Sequence, residues 1–109
     1  MQNQVIYNLT LKITHNLSEA WLEDMESRVL PACFEKDLVI STQIAKIMIE
    51  DNEDHTFAIQ FVFPSEQVFY QQGKGLFKKM VVLLDEKFRG KYVYFTTMME
   101  VIHSSRNTG

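Results

Sequence analysis

Apolar side chains recur at every second position from Val5 to Ile13 and again from Phe57 to Phe63, but at every fourth from Leu76 to Phe88. A period of two belongs to a strand with one buried face, and a period near 3.6 to a helix with one buried stripe. A chain carrying both must pack a sheet against helices, which restricts it to the layered α+β or α/β classes. In the first strand Val5, Tyr7, Leu9, Leu11 and Ile13 share one face, and Asn8, Thr10 and Lys12 the other. A helix is predicted next, with Leu17 before the cap, Ser18 as N-cap, Glu19 in the positive first turn and Leu22 stapled to Leu17. Trp21, Leu22, Met25, Val29 and Ala32 form its apolar stripe, and Glu19, Glu23 and Glu26 face water. Pro31 predicts its end near Leu30, because proline disfavours the α region in the residue before it.

Residues 38–50 are rich in Ile and Val and read as a second strand, with the mixed parity of a bulge. Asp51-Asn52-Glu53-Asp54 reads as a polar turn. Phe57, Ile59, Phe61 and Phe63 oppose Thr56, Ala58 and Gln60 along a third strand, and Pro64-Ser65 ends it and caps a second helix. Gly73-Lys74-Gly75 predicts a kink or split in that helix, and Gly90 its stop. From Lys91 to Ile102 a last strand sets Val93, Phe95, Met99 and Val101 against Tyr92, Tyr94, Thr96 and Met98. Residues 103–109 are expected to form a flexible polar tail.

The order β-α-β-β-α-β is the ferredoxin-like arrangement, one α+β domain over residues 1–109 with a core spanning 5–102. Right-handed crossovers set both helices on one face of a four-stranded antiparallel sheet, with the first and third strands central. The odd-numbered faces, Phe95 included, are expected to meet the helices. The other face would show Asn8, Thr10, Ala58, Gln60, Val62, Tyr94, Thr96 and Met98, too apolar for water alone. A second copy is the simplest cover, through a two-fold contact. The expected partner is therefore the chain itself, with Thr10, Gln60, Val62, Tyr94, Thr96 and Met98 as candidates for the dimer face.

Composition adds exclusions. A chain that is 46% hydrophobic with four Gly and two Pro is neither a linker nor a disordered tail. The lone Cys33 excludes an intrachain disulfide and a cysteine-only zinc site, and suits a reducing compartment. The opening residues do not read as a signal peptide, and no apolar run reaches the ~18–20 residues of a membrane span. The sequons at Asn8 and Asn16 then carry no sugar, and a cytoplasmic location is expected without membrane association. Charge is uneven, net −6 over residues 1–54 and +3 over 55–109.

Val5-Ile6-Tyr7-Asn8-Leu9-Thr10, Glu19-Ala20-Trp21-Leu22, Leu30-Pro31, Phe63-Pro64-Ser65 and the run from Lys87 to Val101 occur in an order and spacing that resemble the small bacterial family known as domain of unknown function 4286. The likeness spans residues 5–102. It implies a ferredoxin-like fold of the dimeric α/β-barrel type and supplies no activity. Members of that family often carry His before the Ile/Leu-Pro pair, where Val29 stands here, and Gly in the next loop, where Asp37 stands.

Chemical motifs are sparse. His15, His55 and His103 share no motif with Cys33, which reads as a buried apolar side chain, and no Gly-x-Ser-x-Gly elbow occurs. Glu50, Asp51, Glu53, Asp54 and His55 form the one dense ligand cluster, but lack the glycine of a calcium loop and read as a solvated turn. No metal and no cofactor are expected. Gly73-Lys74-Gly75 with Lys78 and Lys79 makes a small basic patch without a phosphate-loop frame, a helix kink foremost and an anion or acidic-partner site as its alternative. The segments around Tyr7 and Arg89-Gly90-Lys91 imitate RNA-recognition signatures, but the second enters the wrong strand and Tyr7 points toward the helices. With a pI near 5.5 as well, no nucleic-acid partner is expected. The expected function is an interaction or small-ligand-binding module, with Tyr7, Asn8, Trp21, Tyr92 and Tyr94 as pocket candidates for a small apolar or aromatic molecule. A cofactor-free monooxygenase- or isomerase-like enzyme is the alternative, by analogy of fold.

Overall fold

The computed structural model describes residues 3–34, 38–49 and 53–105. Strands β1 (Val5–Thr14), β2 (Ser41–Ile47), β3 (Asp54–Phe63) and β4 (Tyr92–Glu100) form one antiparallel sheet in the order β2-β3-β1-β4. Two helical rods cover one face. The first joins α1 (His15–Asp24), a π-helical turn (Met25–Val29) and α2 (Leu30–Cys33). The second joins α3 (Glu66–Val68), a π turn (Phe69–Gly73) and α4 (Lys74–Phe88). This is the ferredoxin-like α+β fold expected from the sequence, with the first and third strands central.

Several local expectations change. Helix α1 begins at His15 rather than Ser18, because β1 runs straight into it and the His15 N–H donates to the Glu53 carbonyl at 2.9 Å in place of a side-chain cap. Pro31 does not end the rod. The wider π turn before it relieves the clash with a preceding carbonyl that proline causes in a regular α-helix. The buried stripe is therefore Trp21, Met25, Val29 and Cys33, with Ala32 exposed. Ser65 caps the second rod as expected, its Oγ accepting from the Val68 N–H at 3.2 Å. Gly90 stops that rod with φ at +75°, a conformation that suits glycine. Asp37 and Glu50 to Asn52, hence the first two residues of the polar turn and of the acidic cluster, lie outside the described residues, as do 106–109.

The largest difference lies in β4. Residues of β1 pair odd with odd on β3, Tyr7 opposite Phe61, but odd with even on β4, Leu11 opposite Tyr94. Tyr92, Tyr94, Thr96 and Met98 therefore share the helix-covered face with Leu9 and Leu11. Val93, Phe95, Thr97 and Met99 lie on the open face, where Phe95 is 63% exposed. So Tyr94, Thr96 and Met98 are not on the open face, and Phe95 is not in the core. Hydrophobicity could not orient this strand, because both of its faces are rich in aromatic and apolar side chains.

The two rods are tied by one ionic cluster. Asp24, 7% exposed, accepts from Arg28 Nε at 2.8 Å and Nη2 at 3.0 Å, and Lys87 of α4 stands 3.3 Å away. Arg28 also donates to the Leu83 carbonyl at 2.7 Å and pairs with Glu86 at 2.9 Å. The hydrogen bond from Arg28, more than burial opposes it, holds the Asp24 carboxyl below its usual value of 3.8. A group depressed by folding adds stability that is complete above its unfolded pKa and is lost as pH falls through the folded one. Thermal midpoints should therefore hold steady above about pH 5 and fall below about 4, and Asp24→Asn should flatten that acid limb in a pH series of melts.

Candidate ligand cleft and open sheet face

Both rods lie over β3 and β1, leaving β4 at the sheet edge with its inner face partly uncovered. Thr96 sits beside Leu9, between the larger Tyr94 and Met98, and its short side chain leaves room there. The result is a cleft of about 440 Å³ between β1, β4 and α4. Its floor is Tyr7 and Leu9, one wall is Phe77, Val81 and Val82, the other is Tyr94 and Thr96, and Lys74 and Lys78 stand at the rim. The floor is held firmly. Tyr7 stacks on Phe69 at 4.7 Å and meets Phe77 at 4.1 Å, so the π turn that positions Phe69 also fixes Tyr7.

Of the five pocket candidates, Tyr7 and Tyr94 meet in this cleft. Trp21 does not reach it: the ring is fully buried against Phe57 at 4.8 Å, and its Nε1 has no hydrogen-bond partner. Tyr92 lies lower on the same face and donates its phenol to Asp85 at 2.7 Å. Burial, then that carboxylate, pushes the Tyr92 phenol well above its ordinary value, so it stays a donor at physiological pH. Asn8 lies on the opposite face of the sheet, its Nδ2 donating to Thr10 at 3.1 Å. Helix α4 contributes Lys74, Phe77, Lys78, Val81 and Val82 to the cleft; the two lysines belong to the basic patch seen in the sequence, and the three apolar residues carry no signal there that marks them as a site. Spacing along α4 shows which residues share its buried stripe, but not which flank of that stripe overhangs β4.

On the open face one ladder row is polar in every strand: Gln43, Gln60, Asn8 and Thr97 lie side by side. Gln43 Nε2 donates to Gln60 Oε1 at 3.1 Å, and Asn8 Oδ1 is shielded from solvent without a partner. The rows on either side are largely apolar, with Ile6, Val62 and Met99 on one and Ala45, Ala58 and Phe95 on the other. Of the expected dimer-face residues, Thr10, Gln60 and Val62 are here.

A serine–histidine pair also appears that no motif announced. Ser18 Oγ lies 2.9 Å from the His15 carbonyl and 2.8 Å from His55 Nδ1. A hydroxyl has one proton, so both contacts are satisfied together when Ser18 donates to the carbonyl and accepts from His55 Nδ1. With Ser18 7% exposed as well, the pair fastens the start of α1 to the start of β3 rather than activating a nucleophile. Cys33 is buried, and burial raises its thiol pKa, which keeps it protonated and unreactive. Among the described residues no three His, Cys, Asp or Glu side chains gather as a metal site, and no helix is long and apolar enough to cross a membrane.

Residues 4–102 match the family model described as Domain of unknown function (DUF4286). The chain belongs to the DUF4286 family. Comparison with curated proteins gives no match. Among solved structures, this DUF4286 chain is similar to a dimeric ferredoxin-like protein from an uncultured marine organism, with 18% identity and a TM-score of 0.67 over 98% of this chain and 95% of the other. A second dimeric ferredoxin-like protein from an uncultured marine organism has 8% identity and a TM-score of 0.62, covering 95% and 100%. A candidate antibiotic biosynthesis monooxygenase from Bacillus cereus has 14% identity and a TM-score of 0.62, covering 96% and 99%. At these identities the likeness is one of fold.

Proposed function

We propose that this DUF4286 protein is a homodimeric small-ligand-binding module of the cytoplasm, its open sheet face covered by a second copy and its cleft left free on the helix side. The observation that carries the ligand reading is the cleft itself, a mostly apolar concavity of about 440 Å³ with a few polar side chains in its lining. That size falls in the ~300–1,000 Å³ range of small-molecule sites. Among the described residues its lining holds no carboxylate and no imidazole, and its apolar share suits binding of a small molecule.

The dimer is supported by the apolar rows of the open face and by the two dimeric relatives of the same fold. A four-stranded face about ten residues long spans roughly 600 Å² before side-chain relief, close to the ~800 Å² per partner of a stable interface. The polar row then acts as a register mark, since a shifted partner would bury its amides against apolar rows. Light scattering at micromolar concentration should give twice the 12.8 kDa chain mass. Phe95→Glu, at a side chain exposed in the single chain, should return the mass to one chain while leaving the circular dichroism spectrum unchanged. A wild-type protein that scatters as one chain would remove the dimer from this proposal.

A further inference from the structure

We infer that the cleft selects a planar aromatic anion, with its ring against Tyr7 and Phe77 and its carboxylate between Lys74 and Lys78. The inference rests on the reading of the cleft as a binding site and adds the chemical class of its ligand. Lys74 and Lys78 are four residues apart, hence on one side of α4, and both are exposed at the rim. Other lysines of this helix are engaged: Lys79 donates to the Ala32 carbonyl at 3.0 Å, and Lys87 pairs with Asp24. Among the described residues nothing pairs with Lys74 or Lys78, and no acidic side chain lines the cleft. Two positive charges thus stand at one end of an apolar slot with no protein anion to neutralise them.

The lining also favours an aromatic body. Tyr7, Phe77 and Tyr94 put three aromatic side chains into it, and a ring laid against them can gain beyond area burial alone. A carboxylate set in the plane of such a body leaves the apolar part by its edge and meets the ammonium groups where water still reaches them. That avoids the cost of a fully buried ion pair.

The test compares 2-naphthoate with its neutral partner 2-naphthamide, titrated into the full chain and followed by NMR. The expected result is saturable shifts at Tyr7, Phe77 and Tyr94 for both, with naphthoate bound about five- to tenfold more tightly at low salt and by less at high salt. The double variant Lys74→Gln/Lys78→Gln should abolish the preference, so that it binds naphthoate and naphthamide alike. Lys79→Gln, which removes the same type of charge outside the cleft, should preserve the preference. Equal binding of the two probes to the wild type would overturn the anion inference and leave the cleft as a binding site. A preference lost equally in Lys79→Gln would also overturn it, by assigning the effect to net charge. Absence of saturable shifts with either probe would overturn both the inference and the binding-site reading beneath it.

Discussion

Replacing Trp21 with alanine is expected to remove about 3–5 kcal/mol of stability, a large part of the ~5–15 kcal/mol that holds a domain of this size folded. The ring is fully buried, packs on Phe57 at 4.8 Å and stands in the stripe that joins the first rod to the sheet. Its loss would open a cavity in a core whose other members, Leu11, Ile13 and Met25 at 0–1% exposure among them, are themselves close-packed. Trp21→Phe should cost less than half as much, because it also removes an indole N–H buried without a partner. The chain has one Trp, so these variants are followed in urea by circular dichroism rather than by fluorescence, at a fixed protein concentration. A Trp21→Ala protein within about 1 kcal/mol of wild type would show that the ring is not the packing centre described above. The same experiment separates core from cleft: a residue that shaped a ligand site rather than the core would change binding more than unfolding.

The second large effect comes from two glycines with opposite expectations. A Cβ at Gly73 would lie 2.8 Å from Cε1 and Cζ of Phe63, whose ring is fully buried, and 3.0 Å from Cδ2 of Phe69. Gly73→Ala is therefore expected to destabilise by about 1–3 kcal/mol, the usual range for overpacking a close-packed interior. At Gly75 a Cβ would meet nothing within 4 Å, and Gly75→Ala should stabilise by about 0.5–1 kcal/mol through helix propensity and a less flexible unfolded chain. Opposite shifts in the thermal midpoints of the two variants would confirm this. Stabilisation by both would mean that the second rod can move away from Phe63. Such movement should also disturb the cleft, since Phe69 is the ring on which Tyr7 stacks.

These two glycines show how far the sequence could be read. Gly73-Lys74-Gly75 signals an irregular second helix, and the π turn ending at Gly73 is that irregularity. Yet nothing in the tripeptide distinguishes the glycine a phenyl ring requires from the one beside open space. In the first rod, Pro31 suggested a helix end because a regular α-helix cannot accommodate it, whereas a π turn just before it can. In both places a contact or a hydrogen-bonding pattern set elsewhere overrode a local rule. Of the nine cleft residues, Tyr7 and Tyr94 are accessible from the sequence as pocket candidates: alternation alone turns Tyr7 toward the helices, and the chemistry of Tyr94 suits a ligand contact. Lys74, Phe77 and Val81 could not be matched to them, because pairing an edge strand with the flank of a helix is a long-range fact.

The sequence by itself determined the order of elements, the helix-covered faces of β1 and β3, and a sheet with one face lacking a helical cover. Those properties follow from period and contrast, which a strand or helix carries along its own length. Only the tertiary structure decided the orientation of β4. Its two faces differ too little in hydrophobicity for the side chains to choose, so the backbone register against β1 chose for them. That register turns Phe95 outward and brings Tyr94 and Thr96 over the helices' side of the sheet. With Thr96 too short to fill the space beside Leu9, the cleft exists.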